Sequence, residues 1–234
     1  MTLLLGMPSK GRLMEKSLGW FGKAGLTFER DGSDREYSLS AKGIPDIQPV
    51  MLSAGEIPRE LAAGRIHLGV TGSDMVRERV PDWSDSVEAL CGMGFGRADL
   101  VIAVPTCWVD VESLDDLDDV AAKFRDAHGF RLRIATKYHR LVREFLRDFG
   151  VANYQLVDSQ GATEGVVKNG TAECVADITS TGETLRANHL KILGDGLIHS
   201  SQATLFRARH ADWALARPVF QKLADRLGFD TDGD

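Results

Sequence analysis

The chain has 234 residues, enough for one large domain or for two lobes of about 100 residues that each bury a core. A net charge of −6 and a pI near 5.5 exclude a general nucleic-acid binder, whose affinity comes from phosphate neutralisation by Lys and Arg. Cys91, Cys107 and Cys174 are far apart and odd in number, and the six histidines are scattered, which excludes a zinc-binding spacing and a disulfide framework.

In chain order, a buried strand is predicted over residues 3–6. A helix follows over 12–24, where Leu13, Leu18, Trp20 and Phe21 return at helical spacing before Gly25 stops it. Strand-like runs recur at 47–52, 66–70, 100–105, 132–135, 154–157, 174–178 and 203–207. Helices are predicted between them over 56–63, 114–127, 140–149, 163–168 and 184–187, with a last one over 211–227. This alternation predicts an α/β fold with mainly parallel sheets covered by helices on both faces. The run Cys91-Gly92-Met93-Gly94-Phe95-Gly96-Arg97 breaks the pattern. Its spacing is G-x-G-x-G and no helix follows, so it reads as a crossover between lobes and not as a dinucleotide turn. The acidic stretch 110–119 reads as a solvated loop and helix start, and 230–234 as a frayed tail. No signal peptide and no run of about 18 apolar residues is visible, so a soluble, cytoplasmic protein is expected.

The segment with the most chemistry is Val175-Ala176-Asp177-Ile178-Thr179-Ser180-Thr181-Gly182-Glu183-Thr184-Leu185, an apolar strand that ends in an acid and opens into a hydroxyl-rich loop before a helix. Backbone N–H groups at a helix start have no intrahelical partners, hydroxyls add donors, and Gly182 lets the chain turn closely, which together suit a phosphate. No lysine precedes the final Thr, so this is not a Walker loop. Asp-x-x-x-Thr-Gly is instead the pattern of loops that bind phosphoribosyl pyrophosphate. Ser and Thr are also favoured helix caps, and the loop alone leaves that plainer reading open.

Other strand ends repeat the design. Pro8-Ser9-Lys10-Gly11-Arg12 places two cations after the first strand, where open α/β sheets bind ligands. Val70-Thr71-Gly72-Ser73-Asp74 is a second strand end, either a helix cap at Ser73 or Asp74 or a wall of the same cleft. Arg133-Ile134-Ala135-Thr136-Lys137-Tyr138 is a third.

Taken together these blocks resemble the catalytic subunit of the ATP phosphoribosyltransferase family, the first enzyme of histidine biosynthesis. The match runs collinearly from Pro8 to Leu13, through His67-Leu68-Gly69-Val70-Thr71-Gly72-Ser73-Asp74, Gly94-Phe95-Gly96-Arg97, Val101-Ile102-Ala103-Val104-Pro105 and the Arg133 block, to the Asp177 loop and Ser200-Ser201-Gln202-Ala203. The length is similar to the short form of the family, which works with a separate regulatory subunit resembling histidyl-tRNA synthetase. The resemblance implies a two-lobed fold like type II periplasmic binding proteins, with the active site in the inter-lobe cleft. Lobe I is expected over 1–91 plus 196–234, and lobe II over 92–195. The implied reaction is attack by adenine N1 of ATP on C1 of phosphoribosyl pyrophosphate, with Mg2+ on the departing pyrophosphate.

Carried onto this chain, the resemblance gives Thr179, Ser180, Thr181, Gly182, Glu183 and Thr184 to the 5′-phosphate and Asp177 to the ribose hydroxyls, with Glu173 sharing that task or holding a water of the metal. Gly11, Thr71, Gly72, Asp74 and Arg97 fall on the ATP side, and Lys10, Arg12, Arg35 and Arg59 act on the phosphates. Arg35 equally suits a surface position on a strand. The family's arginine before an Asp-Ile-Pro turn is missing, because Ser53-Ala54-Gly55 precedes Glu56-Ile57-Pro58 here; Arg59 is the nearest substitute. Two other classes share these features: a different phosphoribosyltransferase, and a two-lobed sensor of a small anion.

Overall fold

The computed structural model describes residues 2–30, 39–159 and 163–229; Arg35 and the 230–234 tail lie outside them. The chain divides into two units, Met1–Gly96 with Gln202–Asp234, and Arg97–Ser201.

The first unit opens with β1 (Leu3–Pro8), a near-continuous apolar run with only Leu4 partly exposed, as a central parallel strand requires. Helix α1 (Gly11–Lys23) buries Met14, Ser17 and Phe21. A two-stranded ribbon, β2 (Thr27–Arg30) with β3 (Leu39–Lys42), precedes β4 (Ile47–Leu52) and α2 (Ile57–Ala62). Then come β5 (Leu68–Gly72), α3 (Ser73–Arg79), α4 (Trp83–Ser86) and β6 (Val87–Gly92).

The second unit comprises β7 (Ala98–Pro105), α5 (Leu114–His128), β8 (Leu132–Thr136), α6 (His139–Asp148), β9 (Tyr154–Asp158), β10 (Cys174–Thr179), α7 (Glu183–Ala187) and β11 (Leu190–Ser201). Its sheet runs β11-β7-β10-β8-β9. The β10–β8 and β8–β9 pairs are parallel and both pairs of β7 are antiparallel, so β7 alone is reversed. The chain then returns to the first unit as β12 (Ala203–Ala208) and α8 (Arg217–Leu227). That completes a sheet of order β4-β1-β5-β12-β6, in which β12 alone is reversed. In both sheets the reversed strand is the first strand made after the chain enters the unit. Each crossing therefore lies at the edge where the other strands end.

Several predicted elements change. The helix expected over 163–168 is only a 3-10 turn at Thr163–Gly165. The last helix starts at Arg217, with Pro218 in its first turn, where a missing N–H costs nothing. Part of the acidic stretch is structural: Ser113 and Asp116 form a reciprocal capping box on α5, and Asp195 also accepts from Leu114 N–H at 2.9 Å. Bonds donated by the Glu112 N–H and by the Ser113 hydroxyl and N–H hold the Asp116 carboxyl below the usual carboxylate range.

His67, inside the block His67-Leu68-Gly69-Val70, is a strut. Its Nδ1 accepts from Leu4 N–H at 3.0 Å, and its Nε2 lies 3.0 Å from the Asp212 carbonyl, which assigns the proton to Nε2. The ring also meets Trp213 edge-on at 5.2 Å between centroids. His67→Ala leaves both backbone groups without this partner and is expected to lower unfolding free energy by about 1–3 kcal/mol in urea melts, with ligand affinity of the folded protein unchanged.

Candidate functional site

In the second unit, β10 rises out of the core. Cys174, Val175 and Ala176 are buried, Asp177 is half-buried and Ile178 is exposed. Beyond it the chain closes on itself. The Thr179 hydroxyl accepts from Gly182 N–H at 2.8 Å, and the Thr181 hydroxyl accepts from Glu183 N–H at 3.3 Å. Ser180 Oγ donates to the Arg97 carbonyl at 3.0 Å, and the Asp177 carboxylate accepts from Ile178 N–H at 2.9 Å. Gly182 itself is the cap of α7, at φ 72° and ψ 0°, with no side-chain cap. The N-cap position itself thus carries no capping side chain, while the Thr181 hydroxyl holds the amide of the first residue of α7.

These bonds divide the hydroxyls by role. A hydroxyl that accepts from an amide still has its own proton to give, so Thr179 and Thr181 remain donors. Ser180 has given its proton to Arg97 and acts as a staple between the loop and the start of β7. Glu183 and Thr184 are exposed beside them.

Arg186 is a residue that sequence reasoning missed. It stands one turn into α7, and its Nη2 donates to the Thr181 carbonyl at 3.0 Å. A Cβ placed on Gly182 would lie 2.9 Å from its Nη1, the far end of a side chain that can swing aside, so it is the left-handed backbone that requires the glycine. The available signal was spacing: a cation four residues after the loop glycine falls back over the loop because helical side chains lean toward the N-terminus.

Glu173 is not at the loop. It precedes the amino end of β10, about 13 Å along the strand from Asp177 at a rise of about 3.3 Å per residue. There its carboxylate accepts from Arg133 N–H at 2.7 Å and from Nη2 at 2.5 Å, and Arg133 also donates to the Gly170 carbonyl at 3.0 Å. The pair joins the start of β8 to the start of β10 and leaves the expected share in ribose binding without geometric support.

In the first unit, the expected residues gather where β1, β4 and β5 end. Lys10 and Arg12 are exposed, and Gly11 turns the chain into α1 at φ 74°. Ser9 N–H donates to the Leu52 carbonyl at 2.8 Å, and the buried Thr71 hydroxyl donates to the Ala54 carbonyl at 3.0 Å, so the loops after β1 and β5 are both tied to the end of β4. Thr71 therefore shapes this edge through its side chain. Asp74, 6% exposed, lies in the first turn of α3, and Ser73 N–H donates to the Gln202 carbonyl at 3.3 Å, next to the returning chain.

The turn that lacks the expected arginine is closed by its acid. Glu56 accepts from Ser53 N–H at 2.8 Å, and bonds from the Ser53 amide and hydroxyl hold its carboxyl below the usual range. Arg59 follows, exposed, near the start of α2. Arg97, expected with Gly11, Thr71, Gly72 and Asp74, belongs to the second unit, where its carbonyl holds the loop. Among the described residues no three His, Cys, Asp or Glu side chains gather to hold a metal ion, and no helix is long and apolar enough to cross a membrane.

Comparison with known proteins bears on the whole chain. The family model HisG, ATP phosphoribosyltransferase, matches residues 53–228. An ATP phosphoribosyltransferase from Cereibacter sphaeroides is 68% identical over 228 residues, 97% of either chain. Among solved structures, the ATP phosphoribosyl transferase (HisG:HisZ) complex from Thermotoga maritima aligns with TM-score 0.71 at 24% identity, over 97% of this chain and 99% of that one. A histidine kinase sensor domain with similarity to periplasmic binding proteins aligns with TM-score 0.53 at 11% identity, over 97% and 89%. The last two likenesses give the fold, a two-lobed α/β architecture of the periplasmic-binding-protein kind.

Two substitutions separate the loop from its surroundings. Gly182→Ala is expected to weaken binding of a phosphorylated ligand at least tenfold while the chain stays folded, as measured by calorimetry and circular dichroism. Glu173→Gln is expected to do the reverse, lowering stability by about 1–2 kcal/mol with ligand affinity within twofold.

Proposed function

The chain belongs to the ATP phosphoribosyltransferase family, and we propose that it joins ATP to phosphoribosyl pyrophosphate through adenine N1, releasing pyrophosphate, as the first step of histidine biosynthesis. The observation that carries this reading is the state of the loop hydroxyls: Thr179 and Thr181 accept from loop amides and so keep their protons for the oxygens of a 5′-phosphate. Asp177, half-buried at the end of β10, is the acceptor for the ribose hydroxyls.

The chemistry asks little covalent work of the protein. The lone pair of adenine N1 forms the new bond to C1 as the C1–O bond to pyrophosphate breaks, and the electrons of that bond leave with the pyrophosphate. Between the two the ribose resembles an oxocarbenium ion, so positioning and charge stabilisation dominate. Lys10 and Arg12, exposed at the end of β1, meet phosphate oxygens, and Gly11 allows the main chain to approach them. Arg59 takes the part of the missing arginine, its planar fork on the leaving pyrophosphate. Gly72, Asp74 and Arg97 are assigned to the ATP side, with Thr71 fixing the turn beneath them.

Mg2+ fits this donor set as an ion carried on substrate phosphates: hard oxygens from one or two carboxylates suffice for it, and Asp177 offers one. When bound it neutralises charge on the departing pyrophosphate. The regulatory partner proposed is a separate subunit resembling histidyl-tRNA synthetase. The near-complete overlap with a chain of the Thermotoga HisG:HisZ complex supports that assignment. The cytoplasm, where both substrates are made, is the proposed location.

The test mixes the protein with ATP, phosphoribosyl pyrophosphate and Mg2+, with and without the regulatory subunit, and follows phosphoribosyl-ATP by absorbance. Product formation is expected; no product in either mixture, with tight binding of some other small anion, overturns the reading in favour of a sensor. Arg59→Ala is expected to lower kcat/KM by roughly 100-fold with an unchanged melting temperature, because the guanidinium is exposed in the free protein. Unchanged turnover removes Arg59 from the site.

A further inference from the structure

A second concentration of positive charge lies at the opposite end of the second sheet. A hollow of about 500 Å³ is lined by Arg131, Arg143, Asn153, Tyr154 and Gln155, among others. It sits where β9 begins: Tyr154 is in register with Leu132 and Gln155 with Arg133, at the amino ends of β9 and β8. The loop at Asp177 follows the carboxyl end of β10, which is parallel to both, so the two places are roughly 15 Å apart along the strands.

Structural ion pairs account for the neighbours of these arginines and not for the arginines themselves. On α6, Arg140 pairs with Glu144 at 3.0 Å and Arg147 with Asp148 at 3.0 Å. At the start of β8, Arg133 is held by Glu173. Arg131 and Arg143 have no carboxylate within ion-pair distance among the described residues, although Asp and Glu outnumber Lys and Arg by 34 to 28 in this chain. Both are exposed, and exposed arginines are commonly just solvated. What distinguishes this pair is convergence with Tyr154 on one concave volume of the size that takes a small ligand. Burial pushes the Tyr154 phenol up, partly offset by Arg143, Arg131 and Arg147, so at neutral pH it is a hydroxyl donor. Asn153 contributes shape, since its side-chain oxygen already accepts from Arg125 at 2.7 Å.

We propose that this hollow is a second ligand site, for a phosphate monoester, separate from the phosphoribosyl loop. Two guanidinium groups can bind phosphate oxygens in pairs and balance the dianion, the Tyr154 hydroxyl donates to a further oxygen, and the remaining volume holds the organic part of the ester.

The test titrates ribose 5-phosphate, and in parallel inorganic phosphate, into 15N-labelled protein and follows amide shifts. With ribose 5-phosphate, amides at 152–156 and at 179–184 are expected to move as two groups with separate affinities. Arg131→Gln combined with Arg143→Gln is expected to abolish the first response and leave the second within twofold. Tyr154→Phe is expected to weaken the first about fivefold, and its single lost hydroxyl keeps the test open if the double variant folds poorly. Gly182→Ala is expected to remove only the second response. No response at 152–156, or one that survives the double variant, overturns the site. A response to inorganic phosphate as strong as that to the ester reduces it to an adventitious ion only and overturns it as well. Loss of the 179–184 response alone speaks against the phosphoribosyl loop and not against this hollow.

Discussion

Among the described residues each five-stranded sheet contains one strand that runs against the other four, and it is the strand by which the chain crosses into that unit. β7 starts immediately after the first crossing and β12 immediately after the second. An entering strand that runs backwards must begin at the edge where the parallel strands of its own sheet end: β12 starts at the edge of the loops after β1, β4 and β5, and β7 at the edge of the loop after β10. Two hydrogen bonds make the consequence concrete. Ser180 donates to the Arg97 carbonyl, and Ser73 donates to the Gln202 carbonyl. In both units a loop at the ends of the parallel strands is tied to the crossing segment itself, so its shape depends on topology and not only on local sequence.

Within that frame the loop after β10, the proposed phosphoribosyl loop, is organised by who holds which proton. A loop built only to bind anions through amides would leave those amides open; here Thr179 and Thr181 occupy the Gly182 and Glu183 amides and turn their own hydroxyl protons into the available donors. Arg186 adds a fixed positive charge behind the loop through the Thr181 carbonyl. The loop thus has no lysine of the Walker kind yet keeps a cation close to the proposed phosphate position, and the left-handed backbone at Gly182 is the turn that glycine accommodates without strain.

Much of the fold was legible because parallel central strands are nearly continuous apolar runs with glycine or polar stops, as at Leu3–Pro8 and Cys174–Thr179. The strands that escaped notice are those whose pattern is interrupted. β11 contains Gly194, Asp195 and Gly196, which read as a turn, and its pairing with β7 shifts register between Ile192 and Leu197 and again before His199. β2 and β3 pair only with each other in a short ribbon, and β6 is an edge strand with one buried residue, Val87. Site residues followed the same logic. Positions at strand ends were visible as Lys-Gly-Arg, Thr-Gly-Ser-Asp and Asp-x-x-x-Thr-Gly. The difference between a ligand group and a strut was not, because Thr71, Ser180 and Glu173 are engaged by Ala54, Arg97 and Arg133, partners 17, 83 and 40 residues away. His67 is the converse case, a histidine inside a site-like block whose two nitrogens are both used by the backbone.

The most direct measurement compares equilibrium binding of phosphoribosyl pyrophosphate to Thr181→Ser and Thr181→Val. Serine keeps the hydroxyl proton and valine removes it at nearly constant shape. A hydrogen bond to a charged phosphate is worth about 1.5–3 kcal/mol, so valine should weaken binding roughly tenfold or more while serine stays within about threefold of the parent. Equal affinities for the two variants would contradict a cradle that works through the protons of its threonines.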